Sequence, residues 1–139
     1  MSEERQRGVD LFNATWRLIE SRDDDDLMLH MAHASGFHWA AAPECTPANR
    51  ARSEWLVSRV SALCDLPDAV LRHARSCLRW CEENGLGDWD LAFAYEALAR
   101  ASKAAGDNEA ANRYLERAAA VPIEEADDRE LLERDLATI

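Results

Sequence analysis

The chain has a single lysine, few β-branched residues, no Cys-X-X-Cys pair and no run of eighteen apolar residues. Each absence excludes something. Without a long apolar run no helical membrane span is expected, and the opening MSEERQRG, with acids interspersed, lacks the apolar stretch of a signal peptide. Cys45, Cys64, Cys77 and Cys81 show no paired spacing, in a chain whose 47% hydrophobic content suffices for a core. They are expected as reduced thiols in a cytoplasmic protein. A formal charge of −11 is the wrong sign for nucleic acid or an anionic membrane as partner. There is no glycine-rich phosphate loop, nucleophile elbow, HExxH or basic-aromatic nucleic-acid motif, so nothing names a reaction or a required cofactor.

What is present is a helical composition. The 139 residues make one domain's worth of chain, dominated by Ala, Leu, Arg and Glu, with no long period-two alternation, and the fold class expected is all-α. Fifteen of the sixteen basic residues are Arg, the pattern of a GC-rich bacterial coding sequence. Seven helices are predicted, over about 4–21, from the aspartate run at 23–26 to about 41, and over about 46–64, 67–84, 89–105, 108–120 and 124–137. Val9, Phe12, Trp16 and Ile19 give the first an apolar stripe, and Leu131, Leu132 and Leu136 give the last one. Thr46 with Pro47 starts the third, Pro67 opens the fourth, and Gly85 and Gly106 close the fourth and fifth, with Asp88 expected to cap the fifth.

Short connections predict antiparallel hairpins, over about 4–41, 46–84 and 88–121, and the sequence carries an internal period. The turn CDLPDA (64–69) aligns with AGDNEA (105–110) at an offset of 41 residues. The flanking positions follow: Leu56 with Ala97, Val60 with Ala101, Val70 with Ala111, Ala74 with Leu115, Cys77 with Ala118. A second shift of the same size sets Ile19 opposite Val60, Leu29 opposite Val70 and His33 opposite Ala74.

Residues 95–122, YEALARASKAAGDNEAANRYLERAAAVP, resemble a tetratricopeptide repeat, with small Ala99 and Ala111 at the helix crossing, Gly106 at the turn and a closing proline. The resemblance implies a right-handed α-α superhelix of about three hairpins plus an acidic capping helix, and a concave groove for a peptide, a partner protein or a small ligand. Carried onto this chain, the groove positions are Arg52, Trp55 and Arg59, then Phe93, Glu96, Arg100 and Lys103. Arg59 and Arg100 would occupy equivalent places and, with Lys103, suit a small anionic ligand. The plainer account makes them surface arginines paired with local acids such as Glu54 and Glu96. With three hairpins the groove is short, so the ligand is small or a homodimer extends the surface.

The stretch DDDDLMLHMAHASGFHW, residues 23–39, admits two readings. Spacings of four and three put Asp26, His30 and His33 on one helical stripe, a ligand set for a divalent transition metal if Glu54 or His73 contributes from the next hairpin. The simpler reading makes the aspartates an N-cap and first turn, and His33 an interior imidazole. Cys77 and Cys81 read as buried small residues, and Cys45, in a loop, as the most reactive thiol.

Overall fold

The computed structural model describes residues 1–139 and is all-α. Seven helices follow in order: α1 (Glu3–Ser21), α2 (Asp25–Ala41), α3 (Pro47–Leu63), α4 (Pro67–Glu83), α5 (Asp88–Ala104), α6 (Asn108–Ala120) and α7 (Ala126–Leu136). No helix is long and apolar enough to cross a membrane.

Local chemistry sets most of the boundaries. Ser2, Asp24, Thr46 and Asp107 accept backbone N–H bonds at the starts of α1, α2, α3 and α6. Asp25 and Asp26 follow in the first turn of α2, where their charge favours the positive end of the helix. Gly85 and Gly106 take the left-handed conformation after α4 and α5, at φ 63° and 80°. Asp88 departs from expectation. The residue before α5 is Gly87, and the Asp88 carboxylate accepts from its neighbour Trp89 N and from Glu124 N across the α6–α7 connection.

Consecutive helices pair, α1 with α2, α3 with α4 and α5 with α6, and the pairs join through α2 on α3, α4 on α5 and α3 on α5. Small residues permit the close approaches. Ala92, Ala94, Ala97, Ala99 and Ala101 are all buried along α5, which contacts α3, α4, α6 and α7. Gly8 lets α1 approach α2, where Ser35 Oγ donates to the Gly8 carbonyl at 2.8 Å.

Leu56, Val60, Val70 and Cys77 are buried, as are Ala97, Ala101, Ala111 and Ala118, the residues 41 positions later. Four apolar groups form the core, centred on Met28 and Leu56, on Val70 and Leu98, on Cys77 and Ala94, and on Phe93 and Leu132. Trp55 packs against all four. It is the side chain that ties the hairpins together.

Candidate functional site

Helices α1, α3 and α5 place aromatic side chains around an open cavity of about 260 Å³. Phe12 and Trp16 come from α1, Trp55 from α3, and Trp89 and Phe93 from α5; Leu131 and Asp135 of α7 stand at its edge. Helical spacing explains the arrangement, since Phe12 and Trp16, like Trp89 and Phe93, lie four apart and share a face. The rings are packed against one another: Trp16 stacks on Trp55 at 5.8 Å, and Phe93 meets Trp55 and Trp89 edge-on at 5.5 and 5.8 Å.

A second cavity of about 350 Å³ shares Phe12, Arg52 and Trp89 with the first and is lined further by Arg5, Asn13, Trp39 and Asn49. Arg52 separates the two. Its guanidinium lies 4.8 Å over the Trp89 ring and makes paired bonds of 2.9 and 3.1 Å to Asp90.

Beneath the aromatic cavity sits a polar cluster. Glu96, 1% exposed, accepts from Trp55 Nε1 at 2.9 Å and from Arg100 Nε at 3.0 Å. Burial raises the pKa of this carboxyl, against the opposing pull of Arg100 and the Trp55 bond. Arg100 also donates to the Asp135 carbonyl and to Thr138 Oγ1 of the C-terminal segment. Arg59 is half-buried and makes neither an ion pair nor a hydrogen bond. Burial and then the charge of Arg100 pull its pKa down, while Glu96 and Asp135 act in the opposite direction.

The residues expected from sequence therefore divide. Arg52, Trp55, Arg59, Glu96 and Arg100 lie on or just under this face, but Arg52 and Arg100 are already neutralised by Asp90 and Glu96. Lys103 is exposed near the end of α5 and lines neither cavity. Phe12, Trp16 and Trp89, which make most of the aromatic wall, escaped the sequence reading because a stripe of apolar residues looks the same whether it faces a core or a cavity. Five tryptophans in 139 residues was the available signal.

The aspartates of the stretch 23–39 follow the simpler reading, with Asp24 as N-cap and Asp25 and Asp26 in the first turn of α2, whereas His33 departs from it. Asp26, His30 and His33 are exposed on α2, so His33 is not an interior imidazole. Its ring meets that of His73 edge-on at 5.7 Å; partial burial and the neighbouring His73 lower its pKa. His73 Nδ1 lies 2.6 Å from Glu54 Oε2, which makes Glu54 a histidine partner and not an arginine one. No three of the chain's His, Cys, Asp or Glu side chains converge as a metal-holding set.

Cys77 and Cys81 are buried in the core, as expected from the apolar residues 41 positions later, Ala118 and Pro122. Cys45 is not activated. Partial burial raises its pKa, against the weaker influence of Arg50.

Comparison with family models, with curated proteins and with solved structures finds no match for this chain.

Proposed function

We propose that the chain is a tetratricopeptide-like binding protein, its three hairpins stacked as a right-handed superhelix with α1, α3 and α5 on the concave side. It engages a segment of a peptide or partner protein there. The observation that supports this reading is the aromatic cavity, walled by five rings from all three hairpins and adjoining a more polar cavity. An apolar side chain of the partner enters the first; Arg5, Asn13 and Asn49 offer hydrogen bonds to polar groups in the second.

A small anionic ligand finds less support, because Arg59 is the one guanidinium of the expected set left without an acid. A cytoplasmic setting fits four free thiols.

Selection of a random peptide library on the immobilised protein tests the reading. Enriched peptides should share an apolar anchor, and Phe12→Glu, which sets a charge on the wall of both cavities, should abolish their binding with helicity unchanged. Retained binding by that variant, or no enrichment at all, refutes it.

A further inference from the structure

α7 is held lightly, and it is held at the proposed binding face. At 11 residues it is too short to persist as a helix alone. Leu132 is its one buried side chain, set among Ala92, Phe93 and Val121, with Leu136 packing partly against the same group. Arg100 supplies bonds to the Asp135 carbonyl at 3.3 Å and to Thr138 Oγ1 at 2.8 Å. Beyond these, Leu131 stands 44% exposed at the rim of the aromatic cavity and leaves it unfilled.

Charge points the same way. α7 carries Asp127, Asp128, Glu130, Glu133 and Asp135 against Arg129 and Arg134, and it lies on a face that holds Arg52, Arg59 and Arg100. Asp135 is near enough to influence Arg59 without bonding to it. An acidic amphipathic helix thus already occupies part of this face, with one cavity empty and one guanidinium unpaired.

Resting on the groove reading above, we infer that the partner's recognised segment is an acidic amphipathic helix, which takes the place of α7. The incoming helix sets an apolar side chain among Phe12, Trp16 and Trp55, presents a carboxylate to Arg59, and meets Arg100 through a carbonyl or hydroxyl as the C-terminal segment does. α7 is a placeholder of the same chemistry. Because it is tethered, it competes at high effective concentration. Only a helix that fills the cavity and pairs Arg59 displaces it, so competition adds selectivity.

The test uses the 139-residue protein and a labelled peptide of this chain's own residues 122–139, with a second peptide in which the seven acids are replaced by their amides. Loosening α7 by Leu132→Ala should tighten binding of the acidic peptide by at least about tenfold over the unmodified protein. Thr138→Ala, which removes one Arg100 bond and touches no core residue, should give the same ordering with a smaller gain. Arg59→Ala in the loosened protein, which removes a charge that Asp135 feels without bonding to it, should weaken binding by about two- to threefold. Equal binding of the amide peptide, or no gain in either loosened variant, overturns the proposal. Dimerisation of the Leu132→Ala protein that excludes the peptide assigns the seat to a second copy and overturns it as well. Library selection separates the two readings: apolar peptides without acids sink the acidic-helix partner alone, and no peptides sink both.

Discussion

Trp55 and Glu96, 41 residues apart, are joined by a 2.9 Å bond from the indole Nε1 to a carboxylate oxygen that solvent does not reach. The other oxygen of Glu96 holds Arg100, so one buried acid fixes a wall of the aromatic cavity and the residue that anchors the C-terminal segment. Glu96→Ala strands both donors. It should cost about 3–5 kcal/mol in urea unfolding, the range for removing one member of a buried ion pair. Glu96→Gln, which can still accept from Trp55, should cost less.

The same carboxyl gives a pH dependence. Its folded pKa lies above the ordinary value of 4.5 because it is buried. The folded state therefore binds its proton more tightly than the unfolded state. The stability this contributes is fully present below about pH 4.5 and is lost as pH rises through the elevated value. Measured as the difference between the protein and its Glu96→Gln variant, the native side chain's relative advantage should be largest in acid and should shrink toward neutrality. A difference that grows with pH contradicts the burial argument.

Glu44 behaves in the opposite sense. It accepts from Ser2 N at 2.7 Å and Ser2 Oγ at 2.6 Å, and the two bonds hold its pKa at about 2. Its contribution is present above about pH 4.5 and is lost as pH falls through about 2. Protection of first-turn amides of α1 against hydrogen exchange, taken relative to the intrinsic rate at each pH, should fall across that window, and Glu44→Gln should reproduce the lower protection at neutral pH.

Gly8→Ala should destabilise in spite of the better helix propensity. The added methyl would lie 2.8 Å from Trp39 Cδ1 and 3.0 Å from its Cγ, inside van der Waals contact and close to the root of the ring. Overpacking of this kind costs about 1–3 kcal/mol, against a gain of roughly 0.5–1 kcal/mol from replacing a helical glycine. Thermal unfolding reads the net sign; a raised Tm would mean that Trp39 swings freely.

Arg52→Ala should change stability little, by up to about 1 kcal/mol, because the Arg52 side chain in the pair with Asp90 is 40% exposed. Its larger effect is on access. Arg52 stands between the two cavities, so its removal joins them, and an uncharged aromatic probe such as phenylnaphthylamine should bind a few fold more tightly. Unchanged probe affinity would show that the guanidinium does not separate them.

Helix number and boundaries were legible in the sequence because they rest on local signals: Thr46 and Pro47 at one start, Gly85 and Gly106 at two ends, Asp24 in an acidic run. The arginines were legible as a set, but not their state. Asp90 and Glu96 neutralise Arg52 and Arg100 through geometry that residue spacing only partly encodes: Glu96 is one turn from Arg100, whereas Asp90 meets Arg52 across 38 residues. His33 failed for a related reason. Its counterpart Ala74 is fully buried, yet His33 lies exposed with its ring edge-on to His73 of α4, and the alignment of positions alone does not distinguish the two environments. The aromatic cavity was legible only as an excess of tryptophan, because composition does not distinguish rings that fill a core from rings that wall a cavity.

The stacked indoles of Trp16 and Trp55, inclined by 25°, belong to helices of different hairpins and border the same cavity. Such a dimer is a native optical gauge: its near-ultraviolet ellipticity and emission lifetime depend on the separation and tilt of the rings. A guest wedged beside them, or a slight sliding of the first hairpin on the second, would register in the unlabelled protein without any attached dye.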